Sequence, residues 1–238
     1  MILSWDEKRL AFMKDADAYC PAYRKSLWQA ICNMLPSVPQ HICDAGCGAG
    51  HLSMEMAKTC PRVTAVDLSV QATAQLRKAA AGIENLTVLT GDINENPPEE
   101  PYDTMVFCYF GRTPEILRIA KAQCRGTLVM VTRNYTQHRF SLHPTSFDRD
   151  TVASCRSVLE DAGIPYEFKT CELEFGQPFR SADAAAEFFS LYGGTPVAAA
   201  DVLPRLQETD DPEFPLYLPS VKKMGIFTVA VSALPTAL

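Results

Sequence analysis

The spacing of hydrophobic positions changes along the chain. Residues 5–35 carry apolar side chains at helical intervals, and this pattern ends before Pro36, which predicts one or two helices. Beyond this segment, short apolar runs alternate with amphipathic stretches of helical period. The chain is therefore predicted to begin with helices and to continue as alternating strands and helices.

Five apolar runs between residues 41 and 135 have the length and character of buried strands. They are HICDAG (41–46), VTAVDL (63–68), LTVLTGD (86–92), YDTMVFCYF (102–110) and GTLVMVTRNY (126–135). Helical patterns separate most of these runs: GHLSMEMAKTC (50–60), SVQATAQLRKAAAG (69–82) and PEILRIAKAQC (114–124). Strands that are apolar along their length and alternate with helices predict an α/β, doubly wound, mostly parallel sheet with helices on both faces.

The last third of the chain is less regular. Further helices are predicted over 147–163 and 181–193, and further strands over 166–175 and 225–234. Five prolines fall between residues 193 and 222, which predicts a surface insertion of mixed helix and loop. No linker divides the chain, so a single domain is favoured.

Composition narrows the class of protein. The net charge of −6 provides no global positive field for nucleic acid, so a nucleic-acid partner is not expected. No run approaches the ~20 apolar residues of a membrane helix, and the first residues lack the apolar core of a signal peptide. Nine cysteines without a regular framework suit free thiols in a reducing compartment. We expect a cytoplasmic protein that is not embedded in a membrane.

The stretch CDAGCGAG (43–50) admits three chemical interpretations. An iron–sulfur radical enzyme would need C-x3-C-x2-C, and Gly50 stands where the third cysteine would be, so a three-thiolate cluster is excluded. A dinucleotide site would need the spacing G-x-G-x-x-G/A, but His51 stands where its final glycine or alanine would be. The spacing D-x-G-x-G-x-G is met in full by Asp44, Gly46, Gly48 and Gly50.

An acidic residue follows each of the next two strands. Asp67 lies about twenty residues beyond the glycines, where a carboxylate can accept hydrogen bonds from both ribose hydroxyls of a nucleotide. An NAD site uses the same device, so Asp67 does not discriminate between cofactors. Asp92 ends the third predicted strand. The three motifs occur in order over residues 38–135.

This series of motifs resembles that of the class I S-adenosylmethionine-dependent methyltransferases. The resemblance implies a seven-stranded sheet with an antiparallel last strand, and S-adenosylmethionine as cofactor. It implies a ribose contact from Asp67, an adenine amino contact from Asp92, and an adenine ring held between Leu68 and Ile93. Asp44 would order the turn or reach the cofactor's ammonium group. The candidate cofactor-binding residues are Asp44, Gly46, Cys47, Gly48, Gly50, Asp67, Leu68, Asp92, Ile93, Cys108, Tyr19 and Tyr23.

The family's amino-terminal helices often cover the cofactor. Tyr19 and Tyr23, four residues apart, are expected to share a helix face and either to close the site over the sulfonium or to pack in the core. The predicted organisation of the single methyltransferase-like domain (1–238) is then as follows: an N-terminal helical cap (1–36), a Rossmann-like core (38–176), a helical and loop insertion (177–222) and a final strand (223–238).

Ligands in this fold bind at the carboxyl ends of the strands. The runs CYFGR (108–112) and RNYTQHRF (133–140) are therefore the candidate substrate-binding segments. The first run lacks the Asn/Asp-Pro-Pro-Tyr/Phe motif of the family's base-methylating members. Seven basic residues against two acidic ones between 112 and 149 indicate either an anionic substrate or a solvated helix face. The solvated helix face is the better interpretation for Arg118, Lys121 and Arg125. Arg112, Arg133 and Arg139 are the candidate substrate-binding residues.

Candidate proton carriers on this rim are Tyr109, Tyr135 and His138. No metal site is expected, because the four histidines form no ligand set with each other or with a cysteine pair. The favoured function is methyl transfer from S-adenosylmethionine by in-line displacement to a small organic molecule, which is anionic if the basic residues of the rim bind it. The alternatives are an NAD-linked oxidoreductase and a non-catalytic S-adenosylmethionine-binding module. The accepting atom and the oligomeric state stay open.

Overall fold

A computed structural model describes residues 6–136, 140, 142 and 150–236 of the chain. The strands are β1 (His41–Ala45), β2 (Arg62–Asp67), β3 (Leu86–Thr90), β4 (Tyr102–Cys108), β5 (Cys124–Arg133), β6 (Glu167–Glu174), β7 (Gln177–Phe179), β8 (Gln207–Glu208), β9 (Leu216–Leu218) and β10 (Val221–Ala230). The helices are α1 (Glu7–Tyr19), α2 (Ala22–Cys32), α3 (His51–Ala57), α4 (Val70–Ala79), α5 (Thr113–Gln123), α6 (Val152–Asp161), α7 (Ala182–Gly193) and α8 (Ala199–Val202).

Seven strands form the main sheet in the order β3-β2-β1-β4-β5-β10-β6. The pairs from β3 to β5 are parallel, whereas β10 is antiparallel to both of its neighbours. This arrangement confirms the predicted seven-stranded, mostly parallel sheet with an antiparallel last strand. The strand order reverses between β1 and β4, and a crevice at such a reversal is where open α/β sheets bind ligands.

Helices cover both faces of this sheet, as predicted. Side chains of α5 and α6 pack against one face, and those of α2, α3 and α4 pack against the other. Neighbouring residues of β5 alternate between the two cores, with Met130 on the first side and Val129 and Val131 on the second. Every one of these strand residues is buried, which explains why the central strands are apolar along their length.

The amino-terminal segment forms two helices with a break at Cys20 and Pro21. The N-cap of α1 is Asp6, whose side chain accepts the Arg9 amide, and α2 starts directly after Pro21. Tyr19 ends α1 and Tyr23 lies in the first turn of α2. The two tyrosines therefore do not share one helix face, because the proline interrupts the helical period between them.

The segment 177–222 contains more regular structure than the predicted helical and loop insertion. Strands β7, β9 and β8 form a small antiparallel sheet, and α7 packs beside it in an aromatic cluster that includes Phe179, Phe188 and Phe189. Phe12 of α1 contacts Phe179 and Phe188, so the first helix and the insertion share a core. Strands of two or three residues have no readable period, which is why the sequence pattern does not reveal them.

The final strand starts and ends earlier than predicted. Its residues are Val221–Ala230, and a 3-10 turn over Val231–Ala233 follows, so the strand occupies only part of 223–238. Because β10 is antiparallel, its first residues lie at the edge of the sheet where the parallel strands end. Among the described residues, no helix has the length and apolar character that crossing a membrane requires.

Candidate functional site

The glycine turn after β1 depends on left-handed backbone. Gly46, Gly48 and Gly50 have φ values of +72°, +55° and +74°, a region that other residues adopt only at a cost. The amides of Gly46 and Cys47 both donate to the carbonyl oxygen of Val66, at 2.8 and 3.0 Å, so the turn is fastened to the end of β2. The turn therefore has a fixed shape at the reversal of strand order.

Close packing beneath the turn also requires glycine. A Cβ atom at Gly46 would lie 2.2 Å from Cγ of Phe110, and one at Gly50 would lie 2.2 Å from Cδ1 of Leu76. The backbone is thus in direct contact with the β4–α5 loop and with α4. A turn without side chains at the head of a helix suits the amino-acid chain of S-adenosylmethionine, because the ligand can approach the backbone amides closely.

Asp67 joins the glycine turn to the next loop. Its Oδ2 accepts a hydrogen bond from the Gly48 amide at 2.8 Å, and its Oδ1 accepts one from the Ser69 amide at 2.8 Å. A carboxylate has about four acceptor positions, so ligand hydroxyls can still bind to the same oxygens. Leu68, beside it, is 50% exposed although it is apolar, which suits a side chain that a planar ligand covers.

Asp44 lies inside the fold, at the end of β1. It is 2% exposed, and the Ser53 hydroxyl of α3 donates to its Oδ2 at 2.5 Å. Burial raises the pKa of this carboxyl from its ordinary value of 3.8 to about 6, against the opposing effects of the Ser53 hydrogen bond and the Arg24 charge. Asp44 therefore fastens the strand end to α3.

The loop after β3 has its own local order. Asp92 Oδ1 accepts from the amide of Asn94 at 2.8 Å and from its side-chain nitrogen at 2.9 Å, which forms an Asx turn. Ile93 is 4% exposed and belongs to the core, unlike the exposed Leu68. The two residues expected to hold an adenine ring thus differ in accessibility, since Leu68 is half exposed and Ile93 is covered by the core.

The two cysteines of the candidate site are partly buried thiols. Cys47 in the glycine turn donates weakly to the Gly48 carbonyl, with sulfur and oxygen 3.5 Å apart. Cys108 ends β4, and burial raises the pKa of its thiol to about 11. Both side chains are therefore protonated near neutral pH and act as small packing groups.

Tyr109 follows β4 in an unusual conformation. Its φ of +58° is left-handed, which costs a residue with a side chain about 1–2 kcal/mol. Its amide donates to the Val131 carbonyl at 2.9 Å, and its hydroxyl lies 3.6 Å from Sδ of Met224 on β10. Burial holds the pKa of its hydroxyl well above the usual 10. Strain of this kind often marks a functional position.

The predicted substrate-binding arginines occupy different environments. Arg133 ends β5, with its guanidinium carbon 4.9 Å from the centre of the Tyr109 ring. Arg112 precedes α5 and forms an ion pair of 3.6 Å with Asp150, whose other oxygen binds both the amide and the hydroxyl of Thr113. Arg112 thus takes part in a helix-start contact. Arg139 and the candidate proton carrier His138 lie outside the described residues, and Tyr135 follows β5 on the same edge.

The two predicted cofactor-covering tyrosines have different neighbours. The Tyr19 ring stacks on Tyr217 of β9, with centroids 4.9 Å apart, and contacts Phe214 edge-on. The Tyr23 ring is 2% exposed and packs on Phe175, with centroids 4.2 Å apart. Tyr19 therefore contributes to the packing of α1 on the insertion, while Tyr23 lies at the carboxyl edge of the main sheet.

Three charged residues that the sequence does not single out lie between the amino-terminal helices and the carboxyl edge of the main sheet: Asp17, Arg24 and Lys222. Arg24 of α2 forms a buried ion pair with Asp17, with Nε and Oδ1 2.7 Å apart, and Asp17 also lies 3.3 Å from Nε2 of His51 at the start of α3. Lys222 of β10 lies over the rings of Phe175 and Tyr23. An antiparallel last strand begins at the carboxyl edge, and that rule would have pointed to Lys222.

No group of three or more histidine, cysteine or acidic side chains suitable for a metal ion occurs in the part of the chain that the structure describes. What the described residues offer instead is a glycine turn, two carboxylates at successive strand ends and an exposed apolar side chain. This set fits an adenosyl ligand with a charged amino-acid tail.

Comparison with known protein families finds a match for the segment that holds the strand-end motifs. Residues 42–125, which hold the glycine turn, Asp67 and Asp92, match the family described as a methyltransferase domain. No curated protein matches the chain. The family match does not favour the NAD-linked alternative or the non-catalytic one.

Solved structures share the fold at low sequence identity. The YcgJ protein of Bacillus subtilis matches with a TM-score of 0.55 and 14% identity, over 86% of this chain and 97% of that one. A proposed RNA methyltransferase from Pyrococcus horikoshii gives 0.54 and 11%, over 91% and 84%. Magnesium protoporphyrin IX methyltransferase from Synechocystis PCC 6803, solved with bound SAH, gives 0.50 and 16%, over 91% and 85%.

The last two proteins are named for different acceptors, an RNA and a porphyrin, so the shared fold does not identify an acceptor. It does agree with the family match and with the motifs at the strand ends. The chain therefore has the class I methyltransferase fold and, over residues 42–125, matches a methyltransferase domain, for which S-adenosylmethionine is the cofactor.

Proposed function

We propose that the protein transfers the methyl group of S-adenosylmethionine to a small organic molecule that carries a negative charge. The observation behind this proposal is the position of Arg133 and Tyr109, whose charge and ring lie 4.9 Å apart at the carboxyl edge of the sheet. A guanidinium at the ligand-binding edge of an otherwise acidic protein favours carboxylate or phosphate. Nucleic acid is a poor match for a chain with a net charge of −6.

The residues proposed to bind the cofactor lie at the same carboxyl edge of the sheet. In this proposal the turn of Gly46, Gly48 and Gly50 holds the amino-acid chain, and Asp67 accepts the ribose hydroxyls. Asp92 accepts the adenine amino group, and Leu68 and Ile93 contact the ring from opposite sides. The support is the left-handed turn, the remaining acceptor capacity of Asp67 and the exposure of Leu68.

The chemistry requires alignment more than acid–base work. When bound, the cofactor supplies a methyl carbon that its sulfonium already activates. The protein then has to orient the acceptor atom in line with that carbon and to exclude water. The high pKa of Tyr109 keeps its hydroxyl protonated, so this group suits donation of a hydrogen bond to the acceptor better than removal of a proton. Tyr135 and His138 stay as candidate bases for an acceptor that arrives protonated.

The proposed setting is the cytoplasm, with residues 1–238 as one domain. All nine cysteines are free thiols in the structure, which supports a reducing compartment. The core shared by α1 and the insertion supports a single folding unit.

Two assays test the proposed function. Calorimetric titration with S-adenosylmethionine, S-adenosylhomocysteine, NAD⁺ and NADP⁺ should show binding of the adenosyl pair alone. A screen of small carboxylates and phosphates against matched neutral analogues, with release of S-adenosylhomocysteine as the readout, should then show turnover only among the anions. Turnover confined to neutral compounds would contradict the anionic acceptor.

A further inference from the structure

Three aromatic rings meet at the carboxyl edge, where α2, β6 and β10 converge. Tyr23 comes from α2, Phe175 follows β6 and Tyr109 follows β4. The ammonium nitrogen of Lys222, near the start of β10, lies 4.2 Å from the centre of the Phe175 ring, 5.0 Å from that of Tyr23 and 5.6 Å from that of Tyr109. One ammonium group thus lies within the range of cation–π attraction to all three rings.

Two further cations approach the same rings. The guanidinium of Arg24 lies 4.9 Å from the Tyr23 ring and 5.0 Å from the Phe175 ring, and that of Arg133 lies 4.9 Å from the Tyr109 ring. Burial raises the pKa of the Cys108 thiol at the end of β4 and the Asp44 carboxylate raises it further, whereas the charges of Arg24, Lys222 and Arg133 lower it. Three cations and one carboxylate thus act on this point of the sheet.

A buried hydroxyl at the same place has no hydrogen-bond partner. Tyr23 is 2% exposed, and its hydroxyl oxygen makes no hydrogen bond in the structure. Such a group costs about 1–3 kcal/mol relative to a satisfied one. The neighbouring Tyr109 hydroxyl interacts with that of Tyr23, which lowers the pKa of Tyr23 and raises that of Tyr109, but the contact does not have the geometry of a hydrogen bond. Burial raises the pKa of both groups, so both remain proton donors near neutral pH.

The chain places Tyr109 here at a cost. Its left-handed backbone turns the residue out of the path of β4, toward Met224 of β10, to which its hydroxyl is adjacent. A glycine would adopt this backbone without strain. A strained backbone at Tyr109 beside the buried, unpartnered hydroxyl of Tyr23 is the kind of feature that accompanies ligand sites.

We propose that Lys222, Tyr23 and Tyr109 form a subsite that binds the oxyanion of the methyl acceptor, a carboxylate or phosphate borne on a planar, apolar body. The ammonium supplies the charge and the two hydroxyls donate hydrogen bonds to the anion's oxygens. The three rings give the acceptor's body an apolar wall. This inference rests on the proposed function, and it extends that function by assigning residues of the cap and of the last strand to the acceptor.

The cofactor's own carboxylate has the same chemistry, so the experiment must separate the two sources. Binding of S-adenosylhomocysteine, which has that carboxylate, is compared with binding of 5′-methylthioadenosine, which lacks it, in the wild type and in Lys222→Met. If Lys222 binds the acceptor, the wild type and Lys222→Met should bind S-adenosylhomocysteine equally well, and they should also bind 5′-methylthioadenosine equally well. A loss confined to S-adenosylhomocysteine would assign Lys222 to the cofactor and overturn the proposal.

The acceptor subsite is tested on the protein saturated with S-adenosylhomocysteine. Benzoate and phenyl phosphate are titrated by calorimetry, with benzamide as the neutral probe of the same shape. At least one of the two anions should bind to the wild type, and benzamide should not. Lys222→Met should weaken anion binding about tenfold or more, because a hydrogen-bonded charge is lost. Lys223→Met is the matched control, since this neighbour lies exposed near Glu172 and should leave binding unchanged.

Tyr23→Phe separates binding from a structural role. Loss of an unpartnered hydroxyl should leave the melting temperature equal or higher, while anion affinity falls about threefold to tenfold. Retained anion affinity in Tyr23→Phe and Lys222→Met, or no binding of either anion to a wild type that binds S-adenosylhomocysteine, would overturn the subsite. A wild type that does not bind S-adenosylhomocysteine would instead contradict the function on which the subsite rests.

Discussion

The amide of Gly48 donates a hydrogen bond of 2.8 Å to Oδ2 of Asp67, which joins the glycine turn after β1 to the end of β2. The other oxygen of Asp67 accepts the Ser69 amide, so one carboxylate orients two loops. An acid at this position therefore has a structural task in addition to any contact with ribose. Substitutions of Asp67 report on both tasks, and the two can be separated by comparing stability with ligand affinity.

Asp67→Ala should weaken binding of S-adenosylhomocysteine about 100-fold or more, because the two proposed charge-assisted hydrogen bonds to the ribose would be lost. Stability should fall by a smaller amount, about 1–2 kcal/mol, since the two backbone amides can turn to water. Calorimetry gives the affinity and thermal unfolding gives the stability. Undiminished binding of S-adenosylhomocysteine to Asp67→Ala would contradict the ribose assignment.

Gly46→Ala should destabilise the fold by about 3 kcal/mol or more, because a left-handed alanine is strained and its Cβ would collide with the Phe110 ring. Gly82→Ala is the matched control. Gly82 also has a positive φ, +89°, but no atom lies within 4 Å of a Cβ placed there, so only the strain of about 1 kcal/mol is expected. Equal losses in chemical denaturation would show that the close approach to Phe110 does not matter.

The sequence predicts the main sheet well because the sequence patterns that specify its strands and helices are local. Buried parallel strands are apolar along their length, and the helical pattern over 69–82 begins with a residue that suits an N-cap: the Ser69 side chain accepts the Ala72 amide at the start of α4. The motifs at Gly46–Gly50, Asp67 and Asp92 are likewise local, since each follows a strand end. Their common position at one edge then follows from the parallel order of the strands.

The sequence cannot predict the convergence of Tyr23, Phe175 and Lys222, because they are separated by up to about 200 residues and meet only through tertiary packing. Pro21 also divides the first helix in two, which removes the shared face expected for Tyr19 and Tyr23. The small sheet of β7, β8 and β9 has strands too short to show a period. Local patterns therefore identify the candidate cofactor motifs but not the residues proposed for the acceptor.

Asp17→Asn should destabilise the protein by about 3 kcal/mol, because it leaves the guanidinium of Arg24 buried without its carboxylate. The two side chains of this ion pair are only 10% and 16% exposed. Glu187→Gln is the control, since it breaks an exposed ion pair between Lys8 of the same helix α1 and α7, and should cost less than about 1 kcal/mol. Chemical denaturation compares the two variants, and a similar small loss in both would contradict a stabilising role for Asp17.

Leu68→Ser should weaken binding of S-adenosylhomocysteine about tenfold, because the proposed apolar contact with the adenine ring would be lost. The same change should alter stability by no more than about 0.5 kcal/mol, since Leu68 is already half exposed. Val70→Ser, at a position 64% exposed in the first turn of α4, serves as the control and should leave affinity unchanged. Equal affinities for all three proteins would remove Leu68 from the adenine site.

Asp44→Asn should stabilise the protein near neutral pH and not in acid. Burial raises the pKa of Asp44 from 3.8 to about 6, so the folded state binds a proton that the unfolded state releases between these values. The resulting cost of about 3 kcal/mol is absent below about pH 4, grows as the pH rises through this window and is complete above about pH 6. An asparagine has no charge to bury, and its amide oxygen can still accept from Ser53. The difference in melting temperature between Asp44→Asn and the wild type should therefore be larger at pH ~7.5 than at pH ~4.5, and a difference that does not change with pH would show that the carboxyl ionises freely in the fold.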